Sequence, residues 1–301
     1  MAPHKKNDHY LSIQRVMWVS IIVDAVLSAL KIVVGAVGQS TALLADGFHS
    51  LSDLISSLIV MIGFHVAFKP ADASHPYGHG RAESMAGWMV AVLLFALGAG
   101  TAVKAIRGLT SSNPLAQPRH IALWVVILSI VVKEALFRYK IRLGRKIQSQ
   151  SLIADAWHHR SDAISSVVAL IGIAGAIIGG TKWRFLDQAA AIAVALIIIQ
   201  VALKVFRESS GELMDTMPAG ETIEQLKNLA SNVNEVAGIE KVVARKSGLD
   251  LLIDIHIEVD PKMTVEKSHC IAQTVRDKIM QTMPNVKNVL VHIEPYYPND
   301  H

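Results

Sequence analysis

Two stretches of the chain carry the same set of acid, imidazole and hydroxyl groups. They are Ala45-Asp46-Gly47-Phe48-His49-Ser50-Leu51-Ser52-Asp53 and Ala154-Asp155-Ala156-Trp157-His158-His159-Arg160-Ser161-Asp162, both reading A-D-x-x-H-x-x-S-D. In each, the histidine and the second aspartate are four residues apart, so an α-helix places them on one face, one turn apart. Two such faces turned toward each other would present His49, Asp53, His158 and Asp162 together. Two imidazoles and two carboxylates are a donor set suited to a tetrahedral divalent ion such as zinc. Both copies lie inside long apolar runs. A carboxylate at the centre of a bilayer costs at least about 2.5–3.5 kcal/mol and usually marks an ion pathway. The pattern points to passage of a metal ion through a membrane.

The elements that must carry these groups are membrane spans. Apolar residues make up 51% of the 301-residue chain and charged residues only 18%, below the quarter usual in soluble domains. The mean hydropathy is +0.38. Six apolar segments are long enough to cross about 30 Å of hydrocarbon: approximately Val16 to Val37, Thr41 to Phe68, Met85 to Ile106, Ile121 to Phe137, Ser151 to Ile178 and Leu186 to Phe206. Gly35, Gly87, Gly98, Gly172 and Gly175 suit close helix packing in lipid. The connection expected after the fourth span carries Arg138, Lys140, Arg142, Arg145 and Lys146. The positive-inside rule puts that loop, and with it both chain ends, in the cytoplasm. The polar start of the chain lacks the pattern of a cleaved signal peptide. A single cysteine, Cys270, excludes an internal disulfide framework; beside His269 it is expected as a buried helix residue rather than a ligand. The modest charge of +4, without a base-reading motif, argues against nucleic acid.

After Phe206 the composition changes, and Pro218-Ala219-Gly220 breaks the membrane part. The rest of the chain reads as helix, strand, strand, helix, strand. Apolar residues recur at helical spacing over 223–234. Strands are expected over 239–245 and 251–259, the latter alternating as Ile253, Ile255, Ile257 and Val259. A helix from Thr264 to about Met283, with Lys267 and Ser268 exposed, and a strand over 286–293 complete a small open-faced sandwich. The expected fold is a polytopic α-helical membrane protein of six transmembrane helices with a small C-terminal α+β domain. The divisions are residues 1–15, a cytoplasmic N-terminal segment; 16–213, the membrane domain; and 214–301, the cytoplasmic tail.

With these motifs the chain resembles the cation diffusion facilitators, proton-coupled exporters of divalent metals. The two A-D-x-x-H-x-x-S-D stretches, the H-P-Y-G-H-G-R-A-E loop from His75 to Glu83 and the soluble tail carry the resemblance over nearly the whole chain. It implies a homodimer in a lipid bilayer, both termini inside, with a metallochaperone-like tail at the dimer contact. A histidine at position 49, where some bacterial relatives carry aspartate, resembles the zinc-preferring branch. Asp72, His75 and His79 have a spacing that permits a three-ligand site on a short turn, and the resemblance supports one. A turn held by Pro70, Pro76 and Gly78, with one histidine capping the next helix, is the alternative. In the tail, His256, His269, His292 and Glu294 match the family's metal pair, whereas Glu240 stands where relatives carry another histidine. Arg81 and Asp215 match a charge pair that holds the dimer at the membrane surface.

Other polar residues leave two readings open. Asp46 and Asp155 either orient the histidine rings or face polar neighbours. Asp24 and Lys31, seven residues apart on one face, either line a cavity or pair, or else Lys31 snorkels to the surface. The expected activity is exchange of cytoplasmic Zn²⁺ for external H⁺ in a bacterial inner membrane, with no cofactor beyond transported and regulatory metal. Export of Fe²⁺, Cd²⁺, Mn²⁺, Co²⁺ or Ni²⁺, and a non-transporting metal sensor, are the alternatives. A membrane metalloenzyme is disfavoured, because no H-E-x-x-H occurs and four protein ligands leave no open position for an activated water.

Overall fold

The structure is a computed structural model that describes residues 3–111, 114–147 and 150–298, except for the side chains of 3–15, 17, 147, 150–152, 154, 155, 158, 159 and 161. Six long helices come first: α1 (Pro3–Val37), α2 (Thr41–Ala67), α3 (Arg81–Thr110), α4 (His120–Ile147), α5 (Gln150–Ile178) and α6 (Phe185–Leu213). A 3-10 turn, Gly180–Trp183, leads into α6. Among the described residues, five of these helices are long and apolar enough to cross a membrane, and α5 carries a shorter apolar run over Asp162–Ile178. The protein is thus a polytopic helical membrane protein followed by a small α+β domain.

One expectation about α4 is corrected. Its basic run, Arg138 to Lys146, is not a loop but the last turns of the helix. Arginine and lysine are good helix formers, and Glu134 accepts a hydrogen bond from Arg138 Nε one turn away at 2.7 Å.

Small residues let the helices approach. A Cβ at Gly35 would meet the backbone nitrogen of Leu44 at 2.8 Å, and one at Gly98 would lie 2.9 Å from Ile199. Larger side chains there would push α1 from α2 and α3 from α6.

The start of α2 is fastened to another helix. Ser40, ahead of the first helical residue, accepts from the Leu43 N–H at 3.1 Å, the usual work of an N-cap serine. Its hydroxyl donates to Asp187 of α6 at 2.7 Å. The Thr41 N–H donates to the other oxygen of Asp187 at 2.7 Å, and the Ala42 N–H approaches at 3.4 Å. A carboxylate from α6 therefore satisfies orphan donors of α2 and complements the positive end of its dipole.

The chain divides into two compact units: residues 1–59 with 90–205, and residues 60–89 with 206–301. The second holds the tail domain: α7 (Gly220–Ser231), β1 (Gly238–Ser247), β2 (Asp250–Val259), α8 (Val265–Thr282) and β3 (Val286–Pro295). The sheet order is β1-β2-β3, antiparallel between β1 and β2 and parallel between β2 and β3. Leu251, Ile253, Ile255, Ile257 and Val259 bury one face of β2 against Leu226 and Ala230 of α7 and Ile271, Val275 and Ile279 of α8. The alternation legible in the chain is the alternation of the pleat.

Two side chains on α8 depart from expectation. Cys270 is exposed, and Ser268 is buried, donating to Val265 O at 3.0 Å. The buried stripe of the helix runs through Ser268, Ile271, Ala272, Val275 and Ile279. Cys270, about 100° from Ile271, falls outside it.

Asp187→Ala is expected to strand the donors at Ser40 and Thr41 and to destabilise the fold by about 1–3 kcal/mol. The thermal unfolding temperature of the purified protein in detergent should fall, and Asp187→Asn, which keeps one acceptor, should fall less.

Candidate metal sites

The intramembrane site is built from two helical stripes. On α2, Asp46, His49, Ser50 and Asp53 recur at spacings of three and four, and on α5 Asp162, Ser165 and Ser166 do the same. Asp46 meets Ser165 and Ser166, while His49 and Asp53 meet Asp162. The pairing runs in opposite order along the two helices, as antiparallel helices require. One ligand atom from each of His49, Asp53 and Asp162 lies within 4.8 Å of the others. His49 Nδ1 is 3.8 Å from Asp53 Oδ2, beyond hydrogen-bond distance. His158 lies on α5 one turn before Asp162, as its spacing requires, but its side chain, like that of Asp155, is outside the described residues.

Two lysines accompany the carboxylates. Lys31 of α1 has a fully buried side chain and does not snorkel. Its ammonium lies 2.8 Å from Asp46 Oδ2 and also reaches Ser50 at 3.2 Å and Ser166 at 3.1 Å. Ser165 donates to Asp46 Oδ1 at 3.1 Å, and Ser166 approaches both of its oxygens at 2.9 and 3.0 Å. Asp46 thus faces polar neighbours from α1 and α5. On the other side of the site, Lys133 of α4, buried at 2% exposure, donates to Asp162 Oδ2 at 3.2 Å. Lys133 lies outside both twin motifs. The signal was present, since a lysine within the apolar run Ile121 to Phe137 is costly unless partnered.

The loop trio is also assembled. Asp72 Oδ1 accepts from the Ser74 hydroxyl and the His75 N–H, both at 2.7 Å, and from the Ser74 N–H at 2.9 Å. Its other oxygen lies 3.4 Å from His79 Nε2, and the rings of His75 and His79 are 4.4 Å apart. The hydroxyl of Ser74 and the N–H of His75 hold the Asp72 carboxyl down at about 2. Oδ1 therefore builds the turn and lies 3.4 Å from His75 Nδ1, while Oδ2 faces His79. The turn reading and the ligand reading describe the same residues.

Beside this loop, Asp215 follows α6 in the left-handed region, φ 58°. It accepts from Arg81 at the start of α3 and from Arg245 of β1, the latter at 3.2 Å. Burial pushes its carboxyl up, and the two guanidinium groups more than offset that, leaving it below the ordinary carboxylate range. The Arg81–Asp215 pair thus forms within one chain and includes the tail. Gly80 is needed here, because a Cβ at that position would overlap the Ser247 carbonyl.

In the tail, His256 of β2 and His292 of β3 are register partners on parallel strands, with ring centroids 4.7 Å apart. Glu294 Oε1 lies 3.2 Å from His256 Nδ1 and 3.1 Å from His292 Nε2. Glu240 joins them at 3.8 Å from His256. The register between β1 and β2 shifts between Ile239 and Lys241, so Glu240 occupies a bulge, a device that re-aims a side chain. His269 does not join this cluster within one chain. It is exposed on α8, where Gln273 Nε2 donates to its Nε2 at 3.0 Å.

Apolar helices that hold a buried carboxylate–imidazole site, with a small α+β domain after them, define a membrane transporter of divalent cations. The family model for the cation efflux transmembrane domain matches residues 17–214, and that for the cation efflux protein cytoplasmic domain matches 218–296. The chain belongs to the cation diffusion facilitator family and is a divalent metal cation efflux transporter. It is 33% identical to the manganese efflux system protein MneP of Bacillus subtilis, over 94% of this chain and 96% of that one. It is also 33% identical to metal tolerance protein C1 of Arabidopsis thaliana, over 94% of this chain but 63% of that protein. The magnetosome protein MamB of a Magnetospira strain is 33% identical, over 93% and 94% of the two chains. A solved C-terminal domain of MamM, 28% identical, covers 26% of this chain and all of its own, with a TM-score of 0.25.

The Asp72 turn has a pH consequence. Its folded carboxyl sits at about 2, below the ~3.9 of an unfolded aspartate. The stability it contributes is fully present above about pH 4 and is lost as the pH falls toward 2. The side-chain carbon resonance of Asp72 should titrate with a midpoint near 2. A midpoint near 4 would remove the turn.

Proposed function

We propose that the protein is a proton-coupled antiporter that exports Zn²⁺ from the cytoplasm through His49, Asp53, His158 and Asp162. The observation that carries this reading is the convergence of ligand atoms from His49, Asp53 and Asp162 to within 4.8 Å on two facing apolar helices. Metal binding needs neutral imidazole and ionised carboxylate, so metal and protons compete for the same atoms. Opening the site to one side and then the other, by rocking α2 and α5 with their partners, turns that competition into exchange. The mixed nitrogen and oxygen donors favour zinc over ions that prefer all-oxygen shells. Manganese is the second reading, supported by the likeness to the manganese efflux system protein MneP.

The working form we propose is a homodimer in a bacterial inner membrane, with residues 16–213 spanning the bilayer and both ends, including residues 1–15 and the tail 214–301, in the cytoplasm. Asp72, His75 and His79 form a second metal site on the cytoplasmic loop. His256, His292 and Glu294, with Glu240 beside them, form a regulatory site in the tail, and His269 lies exposed for use by a second copy. Regulation then requires only that tail-bound metal favour one orientation of the transporter over the other.

Flux into proteoliposomes with an imposed pH gradient tests the proposal. Wild type should move Zn²⁺ in a gradient-dependent way, and Asp162→Ala should reduce that flux at least about 10-fold. His49→Asp, which makes the site richer in oxygen, should shift the Zn²⁺-to-Mn²⁺ flux ratio toward Mn²⁺. Undiminished flux in Asp162→Ala would discard the site, and preferred Mn²⁺ flux in wild type would hand the assignment to the second reading.

A further inference from the structure

Lys133 has no place in the donor set, yet it is fully inside the bundle and touches that set. Its ammonium donates to Asp162 Oδ2 at 3.2 Å, with side-chain exposures of 3% and 9% for the two residues. The neighbouring carboxylate, Asp46, is treated differently. Lys31, Ser165 and Ser166 all bond to it, in an arrangement that ties α1, α2 and α5 together. Lys133 comes instead from α4 to a carboxylate whose ligand atom clusters with those of His49 and Asp53.

We propose that Lys133 is an affinity-setting residue of the transport site, a built-in cation that competes with the cargo for Asp162. The inference rests on the reading that His49, Asp53 and Asp162 hold the transported ion. A divalent ion that shares Asp162 with an ammonium group is repelled by it, and little solvent is present to screen the charge. Asp162 can give its full charge to the metal only as Lys133 gives it up. Loading is weakened and unloading is hastened by the same group, so the site binds its cargo loosely enough to release it on the far side. Lys133 is a positioning residue in this scheme: it acts on the metal through Asp162 and does not ligate it.

Competition makes a prediction that a purely structural role does not. Lys133→Gln keeps a hydrogen-bond donor but removes the charge. Lys133→Arg keeps the charge and can hold a carboxylate with two parallel bonds. In full-length protein reconstituted into proteoliposomes, saturation of Zn²⁺ flux should shift in opposite directions. Lys133→Gln should lower KM by about tenfold, with a lower maximal rate because release slows, and Lys133→Arg should raise KM. The inference is overturned if both variants move KM the same way, or if neither moves it. Should only the arginine variant purify as a folded protein, a raised KM supports competition and an unchanged or lowered KM ends it. Asp162→Ala in the same assay separates the two levels. Flux retained there removes the site itself, whereas flux lost there without opposite shifts at Lys133 removes only this inference.

Discussion

The membrane domain depends on keeping ionised carboxylates inside a bundle that offers little solvent to stabilise them. An isolated charge there would neutralise itself, and a neutral carboxylic acid is a poor metal ligand. The protein meets this with ammonium groups on adjacent helices. Lys31 of α1 lies against Asp46, and Lys133 of α4 against Asp162. These pairs decide which helices neighbour one another: α1 and α4 flank the α2–α5 contact because they carry the charges that contact needs. Buried ion pairs of this kind do little for net stability, but breaking one leaves an uncompensated charge worth about 3–5 kcal/mol. They act as specification, fixing which face of α2 meets which face of α5.

The tail applies a different solution to the same problem of bringing polar side chains together. Parallel pairing of β2 with β3 puts His256 beside His292 in register, and side chains two residues apart on one strand share a face, which brings in Glu294. Glu240 belongs to β1, and only the bulge there turns it toward His256. Three adjacent strands thus converge on one half-exposed patch, away from the sheet face that α7 and α8 cover. The hydrophobic core and the histidine–carboxylate cluster occupy opposite faces of the same few residues of β2, so the fold of the tail and the geometry of its cluster cannot be altered independently.

Much of this was legible in the chain because it rests on periodicity. Spacings of four in the twin motifs, alternation from Ile253 to Val259 and the break at Pro218 each follow from the geometry of one element. The features that were not legible depend on several elements at once. Spacing along α1 offers Lys31 a pairing with Asp24 or a place at the lipid surface, and nothing in it reveals Asp46 across the interface. Lys133 falls outside both motifs, and its partner lies on the next helix. Cys270 and Ser268 exchanged their expected environments, since a short helix on a sheet buries a narrow stripe whose phase is set by the sheet. His269 matches the family pattern but stands apart from the cluster within one chain.

The carboxylate of Asp187 at the first turn of α2 gives that helix a fulcrum. With its N-terminal end fastened to α6, α2 cannot slide along its axis without breaking three hydrogen bonds, but it can tilt about them. His49 is eight residues along, a lever arm of roughly 12 Å, so a tilt of about 10° would sweep it sideways by about 2 Å. Metal–ligand distances tolerate only about 0.2 Å. A small angular change, well within what packed helices accommodate, is therefore enough to spread the ligand atoms of the site proposed above beyond coordinating distance, and Asp53, farther along the arm, would move more than His49.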